Sequence, residues 1–227
     1  MRSISENLER VRLRIEQAAA TAGRPGKGVK LVAVSKGHPA EAIRQAYAVG
    51  QRRFGENYAQ EFAAKAEALS DCPEIEWHFI GHVQSNKAKI VALHAQVVHT
   101  VDSQALAREL ARRAVRAGRA TLAVLVEVNV AREPQKHGIW ASDLRELIDA
   151  IALEPSLALQ GLMTVPPRGD LAASRAAFET LESLRSLHGG PSRLPELSMG
   201  MSHDLEVAVA AGATMVRVGA DIFGPRA

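Results

Sequence analysis

The chain has 227 residues, 47% of them apolar and 23% charged, the makeup of a globular protein that buries a full core in one large domain or at most two small ones. Lysine and arginine outnumber aspartate and glutamate by only 28 to 25, scattered along the chain, so there is no basic block for nucleic acid. Cys72 is the only cysteine, which excludes an internal disulfide, a thiolate metal cage or a redox pair and suggests a reducing compartment.

Charges at Arg2, Glu6, Glu9, Arg10, Arg12 and Arg14 interrupt any apolar run at the N-terminus, so neither a signal peptide nor a membrane span is expected and the cytoplasm is the expected location. Ser3 followed by Glu6 forms a capping-box pattern ahead of Leu8, Val11, Ile15 and Ala18 or Ala19 at helical spacing, a first helix that Gly23 ends. From there short β-branched runs alternate with longer helical stretches, the signature of βα units around a parallel sheet. Eight strands are predicted: Lys30–Val34, Arg52–Phe54, Glu76–Ile80, Val97–Val101, Leu122–Val128, Leu159–Met163, Glu196–Ser198 and Met215–Val218. Among the intervening helices are Ala40–Val49, stopped by Gly50, and Gln104–Ala117, which Ser103 can cap and Gly118 terminate. Such a sheet is either open and doubly wound or closed. The even repeat length, the lack of a linker across residues 1–227 and the absence of GxGxxG after the first strand favour a single (β/α)8 TIM-type barrel with an extra N-terminal helix.

Barrel chemistry sits at the C-terminal ends of the strands. The residues there are Ser35 and Lys36, then Gly55, Glu56 and Asn57, then Gly81 and His82, followed by Asp102, Asn129, Thr164, Gly200 with Ser202, and Gly219. Polar loops and helix caps account for part of this set. Lys36 closes the apolar run Leu31-Val32-Ala33-Val34; it is either an imine-forming lysine aimed into the mouth or a solvated lysine at a loop start. The segment Leu197-Ser198-Met199-Gly200-Met201-Ser202-His203-Asp204 leads from strand to a helix predicted over Leu205–Ala211. With Gly219 after the last strand it forms either an anion nest or a plain turn. His78 and His82 straddle a strand end and no HExxH is present, so no metal site is expected. His78 is a structural or a catalytic histidine, and Asn129 and Lys136 are further polar loop candidates.

Six blocks then fall in one order: Ala33-Val34-Ser35-Lys36, Phe54-Gly55-Glu56-Asn57-Tyr58, Trp77-His78-Phe79-Ile80-Gly81-His82, Gly161-Leu162-Met163-Thr164, Leu197-Ser198-Met199-Gly200-Met201-Ser202 and Val216-Arg217-Val218-Gly219, with Ile222-Phe223-Gly224 behind them. In these the chain, from Leu31 to Arg226, resembles the pyridoxal phosphate homeostasis protein family, the YggS-like and PROSC-like proteins. The resemblance implies a barrel like the N-terminal domain of alanine racemase (PLP fold type III), with pyridoxal 5′-phosphate held as a Schiff base on Lys36. It further implies that Ser202, Gly219 and Ala220 hold the phosphate, that Arg217 faces the pyridine nitrogen, and that Asn57 and Met163 line the ring. No catalytic residue is implied. The expected role is PLP homeostasis, as a carrier or buffer whose recipients are apo PLP-dependent enzymes, in a monomer without nucleic-acid or membrane partners. Many members read Thr-Lys-Pro where this chain has Gly37-His38-Pro39, so a neighbouring lysine that could serve a hand-off is missing.

Two other readings compete. One is a PLP-dependent racemase or decarboxylase on the same barrel, which requires a second β domain; only Pro225, Arg226 and Ala227 follow Gly224, and no such domain is expected. The other is a PLP-free barrel enzyme whose lysine forms an imine with a sugar phosphate.

Overall fold

In the computed structural model, residues 2–25, 28–167 and 169–225 are described; Arg226, where the resemblance ends, and Ala227 lie outside them. Eight strands, β1 (Lys30–Val34), β2 (Arg53–Glu56), β3 (Glu76–Phe79), β4 (Val97–Val101), β5 (Leu122–Glu127), β6 (Leu157–Met163), β7 (Glu196–Ser198) and β8 (Met215–Val218), each pair in parallel with the next. β8 returns to β1, with Leu31 opposite Val216 and Ala33 opposite Val218, so the sheet is a closed barrel and not an open doubly wound one. Two boundaries differ by two residues: β2 runs past Phe54 through Gly55 and Glu56, which pair with His78 and Phe79 of β3, and β6 starts at Leu157 and not Leu159, because Leu157 and Ala158 pair with Leu122 and Ala123 of β5. Among the described residues no helix is long and apolar enough to cross a membrane.

Side chains alternate across each strand, and here the two faces differ in chemistry. Outward-facing Leu31, Ala33, Phe54, Trp77, Phe79, Val98, Val124, Val126, Leu162, Leu197, Val216 and Val218 join the main core beneath the helices. Phe62 of α3 (Ala59–Ala68) is fully buried there, 5.5 Å edge-on from Trp77 and 5.8 Å from Phe79. Burying each such ring contributes about 1.5–3 kcal/mol. A smaller cluster of Val97, Leu125 and Met163 belongs to the inward face.

The extra helix α1 (Ile4–Thr21) begins with the expected reciprocal cap: the Glu6 N–H donates to Ser3 Oγ, and the Ser3 N–H donates to Glu6 Oε2 at 2.7 Å. Its buried stripe of Leu8, Val11, Ile15 and Ala19 packs against α2 (Ala40–Ala48), α9 (Leu205–Ala210) and α10 (Ala220–Phe223). Arg14 ties α1 to the mouth side by pairing with Glu206 and Asp221 and donating to the Ser202 carbonyl at 2.8 Å. Around the rest of the barrel lie α4 (Ala88–His94), α5 (Gln104–Arg116), α6 (Leu144–Ala152), α7 (Leu171–Leu187) and the short α8 (Gly190–Arg193). Ser103 caps α5 as expected, accepting from the Leu106 N–H at 3.3 Å.

Candidate functional site

Lys36 lies two residues past the end of β1 and is half-buried. The residues on both sides of it are pinned by one buried network. Ser35 Oγ donates to Glu56 Oε1 at 2.7 Å, and Lys65 Nζ from α3 donates to the same oxygen at 2.6 Å and to the Ser35 carbonyl at 2.7 Å. Lys65 also pairs with Glu61 Oε1, which accepts from the Gly37 N–H, both at 2.6 Å. Gly37 has φ +74°, the left-handed region that glycine enters without strain, so the loop can double back behind Lys36. Burial pushes the Glu56 carboxyl up, and the Lys65 ammonium beside it pulls against that rise. The amine-bearing loop is therefore held by side chains from β2 and α3.

The barrel interior behind this loop carries an ordered polar chain. Arg217 of β8 is buried; its Nη1 donates to Ser198 Oγ at 2.8 Å and its Nη2 to the Thr164 carbonyl at 2.9 Å. Ser198 Oγ lies 2.9 Å from His99 Nδ1, and His99 Nε2 lies 2.8 Å from His78 Nδ1. β4 and β7 are not neighbours, so the His99–Ser198 bond crosses the interior. The direction of each bond follows by elimination. A guanidinium only donates, so the Ser198 hydroxyl proton is free for His99 Nδ1. Burial holds both imidazoles below the usual histidine range, and a neutral His99 that accepts at Nδ1 donates from Nε2 to His78. His78 Nε2 then approaches Glu76 Oε1 at 3.2 Å, too obliquely for a hydrogen bond, as an electrostatic contact at the far end of the barrel. Burial lowers Arg217 to about 10, so it is still a cation at neutral pH.

The other predicted residues fall around the same mouth. Asn57 follows β2, half-buried, and its Oδ1 is buried without a hydrogen-bond partner. Met163 ends β6, fully buried on the inward face. Ser202 lies in the turn after β7, half-buried; Gly219 and Ala220 follow β8, where Ala220 begins the single turn α10. Asn129 organises the loop after β5: its Nδ2 donates to the Glu133 carbonyl at 2.8 Å and its Oδ1 accepts from the Glu133 N–H at 3.2 Å. Lys136 spans to the next loop, reaching the Pro166 carbonyl at 3.0 Å. His78 and His82 do not meet: His78 joins the interior chain, and His82 lies at the rim beside Asp102.

Sequence reasoning missed Lys65, Glu61, His99, Ser198 as a bonding partner, and Glu127. His99 and Ser198 carried one available signal, since each is a polar residue at an inward position of a buried strand. Lys65 carried none.

The model of the alanine racemase N-terminal domain matches residues 7–227. The pyridoxal phosphate homeostasis protein of Pseudomonas aeruginosa is 47% identical, with 100% of this chain and 97% of that one aligned. The chain belongs to the pyridoxal phosphate homeostasis protein family. The family member from Escherichia coli is 42% identical over 100% of this chain and 98% of its own. PipY of Synechococcus elongatus, solved with PLP bound, is 40% identical, superposes with a TM-score of 0.84 and covers 98% of this chain and 100% of its own. Alanine racemase from Corynebacterium glutamicum, at 18% identity and a TM-score of 0.67 over 98% of this chain and 61% of its own, shares the fold.

Proposed function

We propose that this protein holds pyridoxal 5′-phosphate as a Schiff base on Lys36 and acts as an intracellular carrier and buffer of that cofactor, without metabolic turnover of an amino acid. The observation that carries the reading is the mouth itself. A half-buried lysine on a braced loop, a buried arginine and the unpartnered Asn57 Oδ1 gather in a chain whose full-length relatives are named for PLP homeostasis. The orphaned Asn57 oxygen is the mark of a missing polar neighbour, since buried acceptors are ordinarily satisfied. These residues fit the cofactor. Pyridoxal phosphate supplies an aldehyde that condenses with amines and a ring that withdraws electrons.

In this reading Lys36 binds through its amine, and the Ser35–Glu56–Lys65–Glu61 brace keeps that amine in the mouth. Ser202 and the N–H groups of Gly219 and Ala220 take the phosphate, while Asn57 and Met163 flank the ring. Arg217, held by Ser198 and the Thr164 carbonyl and able only to donate, faces the pyridine nitrogen and leaves that nitrogen unprotonated, which weakens the ring as an electron sink. Apo PLP-dependent enzymes are the proposed recipients, and the protein works as a cytoplasmic monomer without nucleic acid.

The test is borohydride reduction of the purified protein followed by intact mass and peptide mapping. One PLP adduct on Lys36, absent from Lys36→Ala, is expected; a dominant adduct on another lysine overturns the assignment. Cα hydrogen exchange of L- and D-amino acids in deuterated water, beside free PLP, is expected to show no saturable acceleration. Saturable exchange that disappears in Lys36→Ala would make the protein a racemase-type enzyme.

A further inference from the structure

Three of the rim side chains not used above converge although they come from three different loops. His82 follows β3, Asp102 follows β4, and His137 lies in the loop after β5; their ligand atoms all lie within 4.8 Å of one another. His82 Nδ1 is 3.5 Å from Asp102 Oδ2, and the His82 and His137 rings stack with centroids 3.7 Å apart and planes 9° from parallel. We propose that His82, Asp102 and His137 form a binding site for a first-row divalent transition ion at the rim of the barrel.

The backbone holds these donors in register. Thr100 Oγ1 of β4 donates to the Gly81 carbonyl at 2.6 Å, locking the residue before His82 to the strand that leads into Asp102. The loop bearing His137 folds back on β5: the Ile139 N–H donates to the Glu127 carbonyl at 2.8 Å, and the Asn129 N–H to the Ile139 carbonyl at 3.0 Å. Gly138, at φ +106°, permits this, because a Cβ there would stand 2.8 Å from the Asn129 nitrogen. His137 is thus delivered to His82 by a loop clamped through a parallel bridge to the end of β5.

A second observation concerns a neighbouring carboxyl. Glu127, at the end of β5, lines a cavity of about 430 Å3 together with His137, and its Oε2 is buried without a hydrogen-bond partner. A second carboxyl group, with one oxygen lacking a partner, thus shares a cavity with one of the three donors. Two imidazoles and a carboxylate suit zinc, cobalt(II) or nickel(II); the all-oxygen preference of magnesium and calcium does not match.

The stack describes the ion-free arrangement. Imidazole lone pairs lie in the ring plane, so two parallel rings cannot both aim at one ion. Capture requires one ring to turn, and His137 is exposed, which leaves it room to do so. Binding therefore exchanges the stack for coordination, with Asp102 already beside His82.

The experiment uses chelator-treated full-length protein, with and without PLP, titrated with Co2+, Zn2+ and Mg2+ by calorimetry and, for Co2+, by visible d–d absorption. One equivalent of Co2+ or Zn2+ is expected in both PLP states, with Mg2+ far weaker. His82→Ala, His137→Ala and Asp102→Asn should each weaken binding at least about tenfold, since even outer-shell partners of metal ligands cost that much. His188→Ala, on another part of the fold, should bind as the wild type does. Thermal melting of each variant shows that it is folded. Equal affinity in the His82→Ala/His137→Ala double variant overturns the site, as does binding that appears only with PLP and vanishes in Lys36→Ala, or equal affinity for Mg2+.

Discussion

An anionic phosphate at Ser202, Gly219 and Ala220 would be held by one hydroxyl and backbone N–H groups, with the neighbouring Arg14 cation engaged on the Ser202 carbonyl and on Glu206 and Asp221. The proposed phosphate subsite would therefore depend on hydrogen bonds to a charged acceptor, each worth roughly 1.5–3 kcal/mol. Pyridoxal, which lacks the phosphate, is expected to bind at least about tenfold more weakly than PLP when both are followed by absorbance on the same protein; equal affinities would show that these residues are not the anion site. At this scale the sequence was a guide to position only: Lys36, Asn57, Met163, Ser202, Arg217, Gly219 and Ala220 lie at or near the C-terminal ends of their strands, around one mouth. It was a poor guide to what holds them. Lys65 sits in Ala-Ala-Lys-Ala and reads as an exposed helix lysine, yet it is buried. Its burial depends on Glu56 facing outward from β2, and a linear pattern does not show that orientation.

The braced loop makes β1, β2 and α3 one mechanical unit. Lys65 Nζ meets Glu56, Glu61 and the Ser35 carbonyl, and removing the cation leaves the Glu56 carboxyl buried with the Ser35 hydroxyl donating to it. Breaking a buried pair from one side costs about 3–5 kcal/mol. Lys65→Met is expected to lower the urea midpoint accordingly and to slow adduct formation at Lys36, because the loop loses its anchor at the Ser35 carbonyl. Lys65→Met/Glu56→Gln, which removes the stranded charge, should recover much of the stability and less of the adduct rate. If the double variant is no more stable than the single one, the brace is not electrostatic. Elements themselves were legible because β-branched runs and helical spacing alternate so evenly. Boundaries slipped where pairing outweighed composition, as in β2, where Gly55 and Glu56 are poor strand formers that nonetheless pair with His78 and Phe79.

For the molecule as a whole, the polar interior sets how stability responds to pH, through two opposed contributions. Burial depresses His78 and His99, so the unfolded chain takes up their protons first. The stability they allow is present above about 6.5 and is lost as pH falls below it, by up to about 1.4 kcal/mol per pH unit for each histidine. Glu127 acts in the other sense. Its carboxyl is raised from 4.5 to about 7, so the folded state binds its proton more tightly, and the charge it carries above pH 7 costs on the order of 3 kcal/mol. That cost is relieved as pH falls from 7 toward 4.5, over the range in which the histidines become costly, so the two partly cancel in the wild type. Glu127→Gln keeps the shape and removes the titration. In chelator-containing buffer the variant is expected to be the more stable protein at pH 8, and its advantage should shrink steadily toward pH 5, where the histidine loss stands unopposed and its urea midpoint falls more steeply than that of the wild type. Parallel midpoint curves for the two proteins between pH 5 and 8 would show that Glu127 is an ordinary solvated carboxylate and that the interior charge balance described for β5 is wrong.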